Sequence, residues 1–222
     1  EGKMNKDGEK FITNDTLKLW ECAFEALMFF TSLTRQKNWR NTYFGGHRLK
    51  KVFYLFFAVT ASLIVYSLIY FKQYHIEDDQ TAIQVSLTEW INRGPDTVLK
   101  PAIIEMVQLD DTSSYIGLIE TPEEYVGYAH FIKGWNGKFK IHRSGLESNI
   151  VKYQAIETNK GMYGILVGKN PDLAIDHIKA ELEYDDFNFI VNVSTDEMFV
   201  RSKQLPKDIK EPFPAELTFY DK

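Results

Sequence analysis

Five histidines, one cysteine and a scatter of acidic pairs are the groups in this 222-residue chain with chemistry to offer. The histidines are His47, His75, His130, His142 and His177. None falls at the His-Glu-x-x-His spacing that aims two imidazoles from one helix face, and none has a cysteine beside it. Strands over 125–132 and 137–142 would form a hairpin with His130 and His142 on neighbouring strands. That supplies two metal ligands at most, and the plainer reading is two half-exposed strand histidines. Cys22 has no partner for an intrachain disulfide or a cysteine zinc site in this sequence. In an apolar helical stretch it reads as a small hydrophobe, with a palmitoylated thiol as the alternative.

The carboxylates Glu120, Glu123, Glu124, Asp185, Asp186, Asp196 and Glu197 raise a second possibility. Two of them across a cleft could hydrolyse a glycan. Acidic residues clustered at turns are more simply solvated loop residues. Asp110-Asp111 and Asp185-Asp186 lack the spaced oxygen ligands of a calcium loop. There is no Gly-x-Ser-x-Gly elbow, and Gly168-Lys169 is followed by Asn170, not by the Ser or Thr of a phosphate loop. No catalytic, cofactor-binding or metal set is therefore assigned, and the expectation is a protein that is not an enzyme. One hairpin is crowded with Tyr125, Tyr128, Phe131, Trp135 and Phe139. These either pack a core or form an exposed platform for a glycan or a partner protein.

The elements that would position these groups are mostly strands. Alternating apolar stretches lie near 98–108, 113–120, 125–132, 137–142, 150–157, 162–168, 173–182, 187–193, 197–203 and 215–220. Between them come turn residues such as Asn136-Gly137, Asn159-Lys160-Gly161 and Asn170-Pro171. Segment 173–182 has helical propensity, but the hairpin-like Asp185-Asp186 that follows favours a strand. Residues 76–93 carry Ile83, Leu87, Trp90 and Ile91 on one helical face, with Asp79 as a cap. The expected fold over 73–222 is mainly β, a small sandwich or half-barrel with one helix.

Upstream lies a different kind of sequence. Val52 to Phe71 is 20 residues without a charge. At 1.5 Å per residue such a helix spans about 30 Å, the thickness of the bilayer hydrocarbon. A membrane helix over 49–72 is the expectation. Six basic residues from Arg35 to Lys51 precede it with no acid among them, whereas Glu77, Asp78 and Asp79 follow it. Basic flanks stay in the cytoplasm, so residues 1–48 are expected inside and 73–222 outside. Within 1–48, residues 16–33 form an amphipathic pattern expected as a short cytoplasmic helix on lipid or on a partner, with a short second membrane insertion as the alternative. The chain begins at Glu1, leaving the true start open between Met4 and an upstream region. Residues 1–71 carry 10 Lys/Arg against 6 Asp/Glu, and residues 72–222 carry 16 against 25. An outer domain that acidic repels phosphate backbones, so no nucleic-acid partner is expected.

The segments Tyr128-Ala129-His130-Phe131, Gly137-Lys138-Phe139-Lys140, Gly161-Met162-Tyr163, Gly168-Lys169-Asn170 and Phe219-Tyr220-Asp221 carry a resemblance. Over about 110–222 the chain resembles uncharacterised small membrane-anchored extracytoplasmic β-domain proteins of spore-forming Gram-positive bacteria. The resemblance implies a β fold and an envelope location, and no activity. This chain departs from the lipid-anchored examples in having no lipobox cysteine. The expected function is a membrane-tethered, non-catalytic binding or accessory module of the cell envelope. Its partners would be membrane lipid and another membrane or envelope protein. Two alternatives stand beside it: transmembrane signalling that couples the outer domain to helix 16–33, and a carboxylate-dependent envelope glycan hydrolase.

Overall fold

An uncharged apolar run free of Pro and Gly satisfies its backbone without water only as a helix. In the computed structural model, which describes residues 47–94, 98–147 and 150–222, that run forms α1 (His47–Gln73). The expected helix at 16–33 lies outside the described residues. Within α1, Phe53–Gln73 has a mean hydropathy of 1.9 and none of its apolar window is buried by protein. This helix is long and apolar enough to cross a membrane. Its three Ser and Thr hydroxyls are internally satisfied: Thr60, Ser62 and Ser67 donate to the carbonyls of Phe56, Ala58 and Leu63 at 2.9, 2.9 and 2.8 Å.

The chain divides into two compact units between Gln73 and Tyr74. The second unit opens with α2 (Gln80–Ile91), capped by Asp79, whose Oδ2 accepts from the Ala82 N–H at 3.0 Å. Ten strands follow: β1 (Ala102–Gln108), β2 (Ser114–Glu120), β3 (Val126–Lys133), β4 (Phe139–Glu147) and β5 (Val151–Thr158), then β6 (Gly161–Lys169), β7 (Ile175–Leu182), β8 (Asn188–Asn192), β9 (Met198–Gln204) and β10 (Ala215–Asp221). The ambiguous stretch at 173–182 resolves as the end of a 3-10 turn, Pro171–Leu173, followed by strand β7.

Among the described residues every strand pairing is antiparallel, in three sheets ordered β1-β2-β3-β4, β5-β6-β9 and β10-β7-β8. The domain is mainly β as expected, but it has three sheets where a small sandwich or half-barrel was the expectation. The reason is strand β6, which is apolar on both faces. Tyr163, Ile165 and Val167 pack into one core with Ile116, Leu118 and Tyr128 of the first sheet. Leu166 faces the opposite way, into a second core with Ile178, Ala180 and Phe189 of the third sheet. A third core lies on the far side of the first sheet, where Ile83 and Leu87 of α2 meet Ile119, Ala129 and Phe131. The order of layers is thus helix, sheet, sheet, sheet.

Close packing on β6 demands glycine at Gly164 as well as at Gly168. A Cβ on Gly164 would lie 2.9 Å from the Tyr153 ring and 3.2 Å from Phe189. The missing side chain lets those two rings meet over the strand, with centroids 6.4 Å apart.

Asn170 joins the middle sheet to the third. It is fully buried. Its Nδ2 donates to the carbonyls of Ile175 and Val193, each at 2.8 Å, and its Oδ1 accepts from the Ile175 N–H at 2.9 Å. Asn170→Ala removes all three of these buried hydrogen bonds, leaving the Val193 carbonyl only its 3.2 Å bond from the Asp196 N–H, and is expected to destabilise the domain by about 3 kcal/mol. The urea midpoint of the detergent-solubilised chain measures this, and an unchanged midpoint would contradict the tie.

Candidate functional site on the β3–β4 hairpin

The hairpin of β3 and β4 turns at Gly134–Gly137. The Gly137 N–H donates to the Gly134 carbonyl at 3.0 Å, and Gly137 takes a φ of 78°, a left-handed conformation open to glycine. Trp135 therefore occupies the tip and is 72% exposed. Further along, the register slips by one residue: His130 faces Arg143 while Phe131 faces Ile141, leaving His142 as the extra residue of a β-bulge.

That bulge gathers a polar group beneath the sheet. His130 is buried and shares a 2.9 Å hydrogen bond between its Nε2 and the hydroxyl of buried Ser114, which lies on β2. The His142 ring meets the His130 ring edge-on, centroids 5.3 Å apart. Burial, reinforced by the positive fields of His142, Arg143 and Lys140, pushes the His130 pKa down to about 4. The imidazole is thus neutral at physiological pH. The sequence expectation of half-exposed histidines is corrected for His130, which is buried. The two rings do come together, but among the described residues no group of three or more His, Cys, Asp or Glu side chains could hold a metal ion. Ser114 and His130 form a hydroxyl–imidazole pair, but both are only 2% exposed, so no substrate reaches them.

The tip of the hairpin holds the segment that follows α1. Ile76 and Phe139 exchange two backbone hydrogen bonds, of 3.1 and 2.7 Å. Both side chains are buried, and burying an isoleucine is worth about 2 kcal/mol. Lys133 reaches Asp78 and Lys138 reaches Glu77, each at 2.6 Å. The Asp78 carboxylate raises the pKa of the Lys133 ammonium through that hydrogen bond. Exposed pairs of this kind contribute only about 0.2–1 kcal/mol each, so their effect is mainly to fix register. Asn136 donates from Nδ2 to the Tyr74 carbonyl at 3.0 Å, and the Lys140 ammonium sits 4.8 Å from the centre of the Tyr74 ring.

The five aromatics singled out in the sequence separate into two groups. Tyr128, Phe131 and Phe139 are core residues, with Tyr128 on one face of the sheet and the two phenylalanines on the other. Only Tyr125, 44% exposed at the base of β3, and Trp135 at the tip present their rings to solvent. They stand at opposite ends of β3 and do not form one platform. The carboxylates are likewise dispersed. Glu120 pairs with Lys169 at 3.0 Å, Asp196 pairs with Arg201, and Asp185 accepts from the N–H groups of Lys210 and Glu211. Sequence reasoning missed Ser114, Arg143 and the docking of 74–79. Its one available signal was an acidic run, Glu77-Asp78-Asp79, in a chain whose hairpin offers Lys133, Lys138 and Lys140.

No family model matches the chain, and no curated protein or solved structure matches it.

The depressed pKa of His130 has a measurable consequence. In the unfolded chain a histidine takes up its proton near pH 6.5, whereas folded His130 resists until about pH 4. Between those values the unfolded state binds more protons, so stability falls as pH falls through that window, by at most roughly 3 kcal/mol. Urea unfolding of the chain at pH 7 and at pH 4.5 is expected to show the loss, and His130→Gln to reduce it. An equal loss in both proteins would place its origin elsewhere.

Proposed function

We propose that this chain is a single-pass membrane protein whose β domain works outside the cytoplasm as a tethered, non-catalytic binding or accessory module of the cell envelope. The carrying observation is α1, long and apolar enough to cross a membrane and uncovered by protein. Exposing such a helix to water is strongly unfavourable, while lipid meets its side chains and its internally bonded backbone alike. The cluster of Arg35, Lys37, Arg40, Arg48, Lys50 and Lys51 supports a cytoplasmic N-terminus. The acids at 77–79 support that orientation less, because two of them serve the domain as lysine partners and the third caps α2. The dispersal of the carboxylates supports a role by contact over glycan hydrolysis. Another envelope or membrane protein is the partner of this reading.

A second reading, signalling across the membrane, is favoured by the docking of 74–79. A segment fixed by backbone bonds to β4 transmits a displacement of the domain along the chain, as a flexible linker does not.

Two experiments test these readings. Alkaline carbonate is expected to leave the chain in the membrane. A membrane-impermeant maleimide is expected to label a cysteine placed at exposed Asp186 in intact cells, and Cys22 only after permeabilisation. Release by carbonate, or the reverse labelling pattern, overturns the proposal. Inserting three glycines between Gln73 and Tyr74 separates tethering from signalling. A tether keeps its function in complementing a gene deletion; a signalling protein loses it.

A further inference from the structure

We infer that the β3–β4 hairpin tip is a second membrane contact, with the Trp135 indole lying in the headgroup region of the same bilayer that holds α1. The inference rests on the membrane-spanning reading and adds to it a lipid-binding residue in the folded domain. It follows from three facts. Tyr74 is joined by a single peptide bond to Gln73, the last residue of α1. The Asn136 side chain holds the Tyr74 carbonyl at 3.0 Å, and Ile76 is paired in register with Phe139. Trp135, next to Asn136, is the most exposed aromatic side chain of the domain at 72%. Whichever way the domain turns, the tip therefore stays with Tyr74.

Lipid depth follows from chain length. The uncharged run ends at Phe71, and Lys72 and Gln73 complete the helix. Tyr74 thus emerges roughly 5 Å beyond the hydrocarbon, within the headgroup layer. Tryptophan is enriched at that depth because its ring is apolar while its N–H remains hydrated. The contact is not chiefly one of charge. Lys133 and Lys138 are already paired with Asp78 and Glu77, so zwitterionic lipid suffices.

The full chain, reconstituted into phosphatidylcholine vesicles with and without bromine on the acyl chains, provides the test. The fluorescence lost on Trp135→Phe is expected to be blue-shifted and quenched by brominated lipid, and protected from aqueous iodide. Loss of a red-shifted, iodide-quenched component that bromine leaves untouched overturns the inference. Carbonate extraction of the same vesicles distinguishes the two failures. Retained protein with a water-exposed Trp135 removes only the second contact, whereas stripped protein removes the membrane anchor and this inference with it.

Discussion

A strand that is apolar on both faces has to be covered twice, and β6 is such a strand. Tyr163, Ile165 and Val167 on one side and Leu166 on the other leave no face that water can wet without loss. A single partner sheet would satisfy half of it. The third sheet, β10-β7-β8, exists to bury the other half, and Asn170 secures the chain where it passes from β6 to that sheet. The first sheet then faces the same problem one layer out. Its β2 strand is buried on both sides, and α2 supplies the second cover through Ile83 and Leu87.

This layering ties the start of the domain to its centre. The covering helix α2 begins at the Asp79 cap, and Asp79 closes the segment that Ile76 pins to β4. The residues just past the apolar helix are therefore structural members of the domain and not a linker. Pulling Ile76 away from Phe139 would expose the third core as well as break two backbone hydrogen bonds. Whatever force the apolar helix transmits along the chain meets the folded core within three residues of Gln73.

Much of this was legible in the sequence because burial imposes periodicity. Each of the ten expected strands is present with ends shifted by a few residues, and the helix and its Asp79 cap are where the pattern put them. What was not legible is which surface each strand faces. The run Gly164-Ile165-Leu166-Val167-Gly168 announces burial on both sides, but the periodicity does not say whether one sheet or two provides it. The hairpin shows the same limit at the level of single residues. Tyr128, Phe131 and Phe139 share a composition with Trp135, yet three are core and one is a turn tip, a difference set by the strand's alternation against layers that the sequence does not name.

The buried imidazole illustrates why tertiary context decides chemistry. His130 and His142 are near neighbours, as strand spacing alone suggested, but a one-residue bulge at His142 turns the neighbourhood cationic by bringing Arg143 opposite His130 as well. A metal ion would meet two nitrogens beside positive charge, with no carboxylate among the described residues to complete a ligand set. The same arrangement is well suited to a neutral histidine: Ser114 satisfies one ring nitrogen, and neighbouring cations together with the core oppose its protonation. The pair is accordingly a packed polar link between β2 and β3. At the tip of the same hairpin, turn geometry keeps the Trp135 indole out of the core.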